Sequence, residues 1–248
     1  MSDGIYAALS GAIASERSLD VVANNVANVG TDGFRGERLA FRETMSRAAS
    51  GSAPVTLRYT EIEESRVDLT EGPLRETGNP LDLAISGDAF FEVQAPEGVR
   101  FTRAGSFAVG PNGVVSTHDG YPVLTDGPRD RPRPPLVVPP GTTTLSVATD
   151  GTLSAGETPI GRVSLVRFAN ASDVISSGGA FYSARQGVQP VRATEATVVQ
   201  GFLEGANVGP ISGMNELITA SRTFEAFQRV IQTFRTLDER TARDLAKG

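Results

Sequence analysis

Any chemistry in this chain would have to rest on a few carboxylates, with Asp82, Asp88, Asp119 and Asp150 the best placed, and on His118, the only histidine. Paired carboxylates are the acid and base of glycoside cleavage. Cysteine is absent, which excludes disulfides, thiolate metal sites and cysteine nucleophiles. A zinc site would need mostly carboxylate ligands, and a Ser-His pair would have to pass through the single imidazole. Asp88, Asp119 and Asp150 adjoin Gly87, Gly120 and Gly151, the pairing that turns require. Asp82 takes the polar place of an alternating strand, and His118 precedes Asp119-Gly120 as a turn residue. P-loop, GxSxG, HExxH and GxGxxG patterns are missing. The residues point to a protein without catalytic, metal-binding or cofactor-binding positions.

The elements that would position these residues begin with composition. Charged residues at 21%, hydrophobic residues at 39% and a net charge of -6 fit a folded chain and not a polybasic nucleic-acid binder. No run is long enough to span a bilayer. Met1-Ser2-Asp3-Gly4 lacks a positive n-region, and Glu16, Arg17 and Asp20 interrupt the apolar stretch that follows, so a Sec-type signal peptide is not expected. Such a chain stays in the cytoplasm or leaves by a route that keeps its N-terminus.

Apolar and small residues recur every seven positions near the N-terminus: Ile5, Ala12, Leu19 and Val26 in one column, Ala8, Ser15, Val22 and Val29 in the other. This spacing predicts an amphipathic helix with a narrow seam, stopped by Gly30 and Gly33. From about 214 to 245 the pattern returns with larger side chains. Leu217, Phe224, Ile231 and Leu245 form one column and Ala220, Phe227 and Phe234 the other, with Asp238 and Thr241 breaking the pattern late. Pro210 and Ser212 mark its start.

Between the ends, period-two alternation at Leu81-Asp82-Leu83-Ala84-Ile85, short apolar runs, and turn signals at Gly87-Asp88, Pro96-Glu97-Gly98 and Pro111-Asn112-Gly113 predict a hairpin-rich β domain. Hairpins are expected around Asn112-Gly113 and Asp150-Gly151. Phe90 and Phe91 point to opposite faces of a strand and are assigned to the core. The Pro- and Arg-rich stretch 127–141 reads as an exposed extended connection, because proline lacks the ladder amide. Residues 41–75 read as a connector, with strand character at 55–59. Asn24, Asn25 and Asn28 either cap the first helix or make polar contacts between subunits.

Three segments resemble the flagellar rod and hook family, in that family's order: ALSGAIASERSLDVVANNVANVGTDGFR from Ala8, TGNPLDLAISGDAFFEV from Thr77 with FTRAGSFAVGPNGVVSTHDGYPVL from Phe101, and GFLEGANVGPISGMNELITASRTFEAFQRVI from Gly201. Ala89 and Gly30 depart from residues common there, glycine and asparagine. The opening MSDGIYAALSGA is similar to proximal-rod members, with distal-rod members the alternative. The resemblance implies a structural subunit of the basal-body rod, the periplasm-spanning shaft that transmits torque, exported by the flagellar type III apparatus without a cleavable signal. It implies self and other rod proteins, ring or export-gate components and the export apparatus as partners, with no nucleic acid and no membrane span.

The expected architecture is a mainly β central domain flanked by N- and C-terminal α-helices that pair as an antiparallel coiled coil. Its expected divisions are 1–35 assembly helix, 36–76 connector, 77–203 β domain and 204–248 assembly helix. The candidate interface is Ile5, Ala12, Leu19, Val22, Asn24, Asn25, Val26 and Asn28 with Leu217, Phe224, Phe227, Ile231 and Phe234. A wall-cleaving enzyme would need the aspartates above. A surface adhesin would explain the β region and leave the two helices without a role.

Overall fold

A computed structural model describes residues 2–48, 55–128, 133–142 and 144–245. Contacts divide the chain into two compact units. The first comprises Met1–Ala27, Glu37–Ser65 and Pro210–Gly248, and the second Asn28–Gly36 and Arg66–Gly209. The expected β domain of 77–203 thus falls in a unit that also takes in 28–36, 66–76 and 204–209.

In the first unit, helix α1 runs Ser2–Ala27 and helix α2 runs Pro210–Leu245. Proline at the first position of α2 loses no intrahelical bond, because that amide would be an orphan in any case. The stretch expected to be a connector holds a two-stranded ribbon of Glu37–Ala48 and Val55–Val67. The small residues 49–53 between these strands lie outside the described residues. α1 stops at Ala27, before either glycine expected to end it. The turn is made by Asn28, whose carbonyl accepts from the Thr31 amide at 3.0 Å, and is completed at Gly33, φ +69°.

The second unit is built on a six-stranded antiparallel sheet. Its spatial order is Val174–Ser176, Phe181–Ala184, Gly98–Thr102, Phe90–Ala95, Leu165–Arg167 and Val191–Arg192. Both faces of this sheet are covered. Phe91, Val93 and Leu165 enter one core with Ile85, Val123 and Leu153, while Phe90, Phe101 and Val166 enter a second with Val67, Phe168 and Tyr182. Edge-to-face rings stabilise each side, Phe91 on Phe107 at 5.2 Å and Phe90 on Tyr182 at 5.6 Å between centroids. Both phenylalanines are therefore core residues, as the strand reading expects.

Two sequence expectations change here. Leu83, Ala84 and Ile85 are all buried, because the strand Leu83–Ser86 pairs with Thr197–Gln200 and is covered on both faces; its alternation does not mark a solvated side. The described residues of the 127–141 stretch are not free of the core. Leu136 is 1% exposed, and Arg133 forks onto the buried carboxylate of Glu92 while also donating to Ser164 Oγ at 3.0 Å. The hairpins fall where their turn signals stand: Phe107–Val109 with Val115–Thr117, and Leu145–Val147 with Thr152–Ala155.

Candidate functional site

The two helices of the first unit pack on each other, and small residues set their separation. A Cβ added to Gly11 would lie 2.4 Å from the Phe227 ring, and one added to Gly4 would lie 2.9 Å from the ring of Phe234. Seven residues forward on α1 correspond to seven back on α2, so the helices run in opposite directions in a fixed register. The same step carries Ser18 to Ala220, which line one groove, and Asn25 to Gly213, both buried. Helices approach this closely only where one side supplies glycine or a side chain of similar size.

Most of the residues expected at an assembly interface are buried or half-buried on these two helices. On α2, Leu217, Phe224, Phe227, Ile231 and Phe234 are half-buried and, with the half-buried Ala220, are spaced alternately three and four apart among mostly exposed neighbours. Ala12 of α1 is buried, and Ile5, Leu19, Val22 and Val26 are half-buried. Leu245 has no described side chain. The asparagines divide. The Asn25 amide donates to the Glu37 carbonyl at 2.8 Å and accepts from the Glu37 amide at 2.9 Å, so it ties α1 to the ribbon inside one subunit. Asn28 accepts from Thr31 Oγ1 at 3.3 Å in the turn that follows α1, while Asn24 is exposed. Sequence reasoning missed Gly4, Gly11 and Ser18, as well as the buried Ala14 and Val21. The signal was present as small residues every seven positions opposite a phenylalanine column.

A second constellation lies wholly inside the second unit, where the chain arrives from α1 and departs toward α2. Arg35, Arg103 and Glu204 are each 1% exposed. Glu204 Oε1 accepts from Arg35 Nη2 at 2.5 Å and from the Gly72 amide at 2.8 Å, and Oε2 accepts from Arg103 Nη1 at 3.2 Å. Burial pushes the Arg103 pKa below its ordinary value, Glu204 opposes this, and the nearby Arg35 adds to it. Arg103 also donates to the carbonyls of Ile85 and Gly87, and its guanidinium stands 5.4 Å from the Phe90 ring centre. One step along, Asn207 accepts from the Gly36 amide at 2.7 Å and donates to the carbonyls of Asp68 and Thr70. One side chain thereby ties together three of the four segment ends of this unit, those near residues 36, 66 and 209. Gly33 is part of the same corner: its amide donates to the Glu204 carbonyl at 2.6 Å, and a Cβ there would lie 2.1 Å from the Ala104 nitrogen.

The carboxylates considered for catalysis are used locally. Asp82 accepts from Asn79 Nδ2 at 3.0 Å. Asp150 accepts from the Thr152 amide at 3.0 Å and from its hydroxyl, which hold its pKa below the ordinary aspartate value. Asp88 is exposed, and so are His118 and Asp119, which rim a hollow of about 520 Å³ beside Tyr121 and Phe181. Among the described residues, no group of three or more His, Asp or Glu is placed to hold a metal ion, and no helix is long and apolar enough to cross a membrane.

Family models match in three places: one described as flagella basal body rod protein over residues 5–35, one as the flagellar hook protein FlgE/F/G D1 domain over 84–155, and one as flagellar basal body rod FlgEFG protein C-terminal over 199–244. A Caulobacter vibrioides protein named flagellar basal-body rod protein FlgF is 34% identical over 100% of this chain and 99% of its own length. The chain belongs to the flagellar basal-body rod family. The Salmonella typhimurium FlgF is 32% identical over 93% of each chain, and the Bacillus subtilis rod protein named FlgG is 30% identical over 94% of this chain and 95% of its own. This rod protein is a structural subunit of the flagellum, similar to relatives of both names. The α1 seam from Ile5 onward falls inside the first matched segment, and Glu204, Asn207 and nearly all of α2 inside the last.

Proposed function

We propose that this rod subunit polymerises through α1 and α2, which pair as an antiparallel coiled coil and pack against the corresponding helices of neighbouring subunits. The observation that carries this reading is the seven-residue register, with Gly4 against Phe234 and Gly11 against Phe227, over a column spaced three and four apart. One surface binding a different surface on the next subunit, with a rotation that does not close into a ring, yields a helical stack. The stack is the periplasm-spanning shaft that transmits torque. Its partners are further copies of this chain, other rod proteins, and the ring or export-gate components at its base. The subunit occupies the proximal rod, a place supported by the relatives named FlgF; the relative named FlgG keeps the distal rod as the second reading. It is exported through the flagellar type III apparatus with α1 retained, since loss of α1 would strip Phe227 and Phe234 of the surface they cover. It performs no catalysis and takes no cofactor.

The test is a pair of seam lesions. Leu19→Asp and Phe227→Asp should each abolish swimming while the second unit melts as in the unaltered protein, because burying a carboxylate in an apolar contact costs about 2–5 kcal/mol or forces the helices apart. Glu16→Ala and Arg229→Ala, at exposed positions, should swim. Normal swimming by both seam variants would remove the helices from assembly.

A further inference from the structure

The α1–α2 pair carries two apolar features that its own seam does not use. On α1, Tyr6, Leu9 and Ile13 are 58%, 46% and 54% exposed. At 3.6 residues per turn they lie roughly 150–170° around the helix from Gly4 and Gly11, on the side turned away from α2. The apolar stripe then ends, and the same face continues with Glu16, Arg17 and Asp20, all exposed. The second feature is a groove of about 630 Å³ between the helices, where Gly11, Ala14 and Ser18 face Thr219, Ala220 and Thr223. Small side chains on both walls leave it open among the described residues. It ends at Glu216, an exposed carboxylate.

We infer that the groove receives Tyr6, Leu9 and Ile13 of a second copy of this chain. The stripe cannot reach the groove of its own subunit, because α1 itself stands between them. In a helical stack the neighbour's α1 runs parallel to the first, displaced along it. Bringing the centre of the stripe to the centre of the groove needs a displacement of one heptad, about 10 Å. That displacement keeps the seven-residue spacing in phase. It also sets the neighbour's Arg17 beside Glu216, so charges of opposite sign meet where the apolar part ends. Among the described residues, the ion-pair partner of Arg17 is Asp20, at a loose 4.0 Å. The two surfaces differ from each other and both belong to one chain, so the contact repeats without closing. The inference rests on the rod reading and names the partner surface within it.

The chain has no cysteine, so introduced thiols are its only thiols. Basal bodies are isolated from cells producing Leu9→Cys/Thr223→Cys, oxidised and run on non-reducing gels. A ladder of dimer, trimer and higher multiples of this chain is expected, while Leu9→Cys alone, Thr223→Cys alone and Leu9→Cys/Gln228→Cys, whose second thiol lies on the far flank of α2, stop at dimer or below. A Leu9→Cys/Thr223→Cys protein that yields no ladder, or that joins a different protein, overturns the pairing. A charge exchange supplies a second readout: Arg17→Glu and Glu216→Arg should each reduce the fraction of swimming cells several-fold, and the combination should restore it. Singles that swim normally, or a combination no better than the singles, also overturn it. Deletion of the gene addresses the rod reading separately: non-swimming deletion cells with no ladder would sink the groove contact alone, whereas swimming deletion cells would sink the rod reading.

Discussion

Replacing Glu204 with glutamine removes one negative charge from a site that holds two buried guanidinium groups and leaves the volume unchanged. Three hydrogen bonds to the carboxylate, from Arg35 Nη2 at 2.5 Å, the Gly72 amide at 2.8 Å and Arg103 Nη1 at 3.2 Å, lose their anionic acceptor. The glutamine amide group also turns two donors toward groups that can only donate. Arg35 Nε and Nη1 and Arg103 Nε already lack partners among the described residues, so the cluster has no reserve. Breaking a buried pair on one side costs about 3–5 kcal/mol because the remaining charge stays desolvated. At about 2–4 °C per kcal/mol for a unit of this size, the melting temperature should fall by about 6–20 °C. Near-ultraviolet circular dichroism is a suitable probe, since the Tyr182 hydroxyl accepts from the Arg35 amide at 2.7 Å. Adding Arg35→Met to Glu204→Gln removes one of the two stranded cations and should recover part of the loss. A Glu204→Gln protein within about 1 kcal/mol of the unaltered one would show that the carboxylate does not neutralise the cluster.

Gly33→Ala should destabilise the second unit by about 2–5 kcal/mol in urea titrations, since it combines a left-handed backbone with a Cβ driven into the Ala104 nitrogen. Gly11→Leu should weaken the helix pair and abolish swimming although leucine is the better helix former by about 1 kcal/mol, because the side chain must displace Phe227; hydrogen exchange of α1 amides would register the loosening. The Asp150 carboxylate should titrate by NMR below the usual aspartate value of about 3.9. Its folded pKa lies under its unfolded one, so ionised Asp150 contributes stability above that usual value, and the contribution is lost as pH falls through the lower folded one. Thr152→Val, which deletes the hydroxyl donor, should move that midpoint upward.

Periodicity and turn chemistry made much of the molecule legible. Every described position of the seven-residue columns of α2 before Asp238 is half-buried, and the Asn112-Gly113 and Asp150-Gly151 signals are the tips of real hairpins. Columns read from apolar residues alone overlook glycine, which is why Gly4 and Gly11 escaped notice. Their contribution is an absence of volume, visible only beside the rings that occupy it. Alternation likewise misreads a strand covered on both sides, as Leu83–Ile85 is. The buried trio could not be read at all. Arg35, Arg103 and Glu204 are far apart in sequence and each resembles a solvated surface residue. A sequence boundary set at Leu203 stops one residue short of the carboxylate that two cations share.

The position of Glu204 also bears on the order in which the fold can be completed. Both guanidinium groups reside in earlier parts of the chain, and their shared counter-charge arrives only when residue 204 does. A chain that ends between Arg103 and Glu204 holds two cations that must either stay hydrated or go into the interior unneutralised. Only a chain that has reached Glu204 can close the second unit around neutralised guanidinium groups.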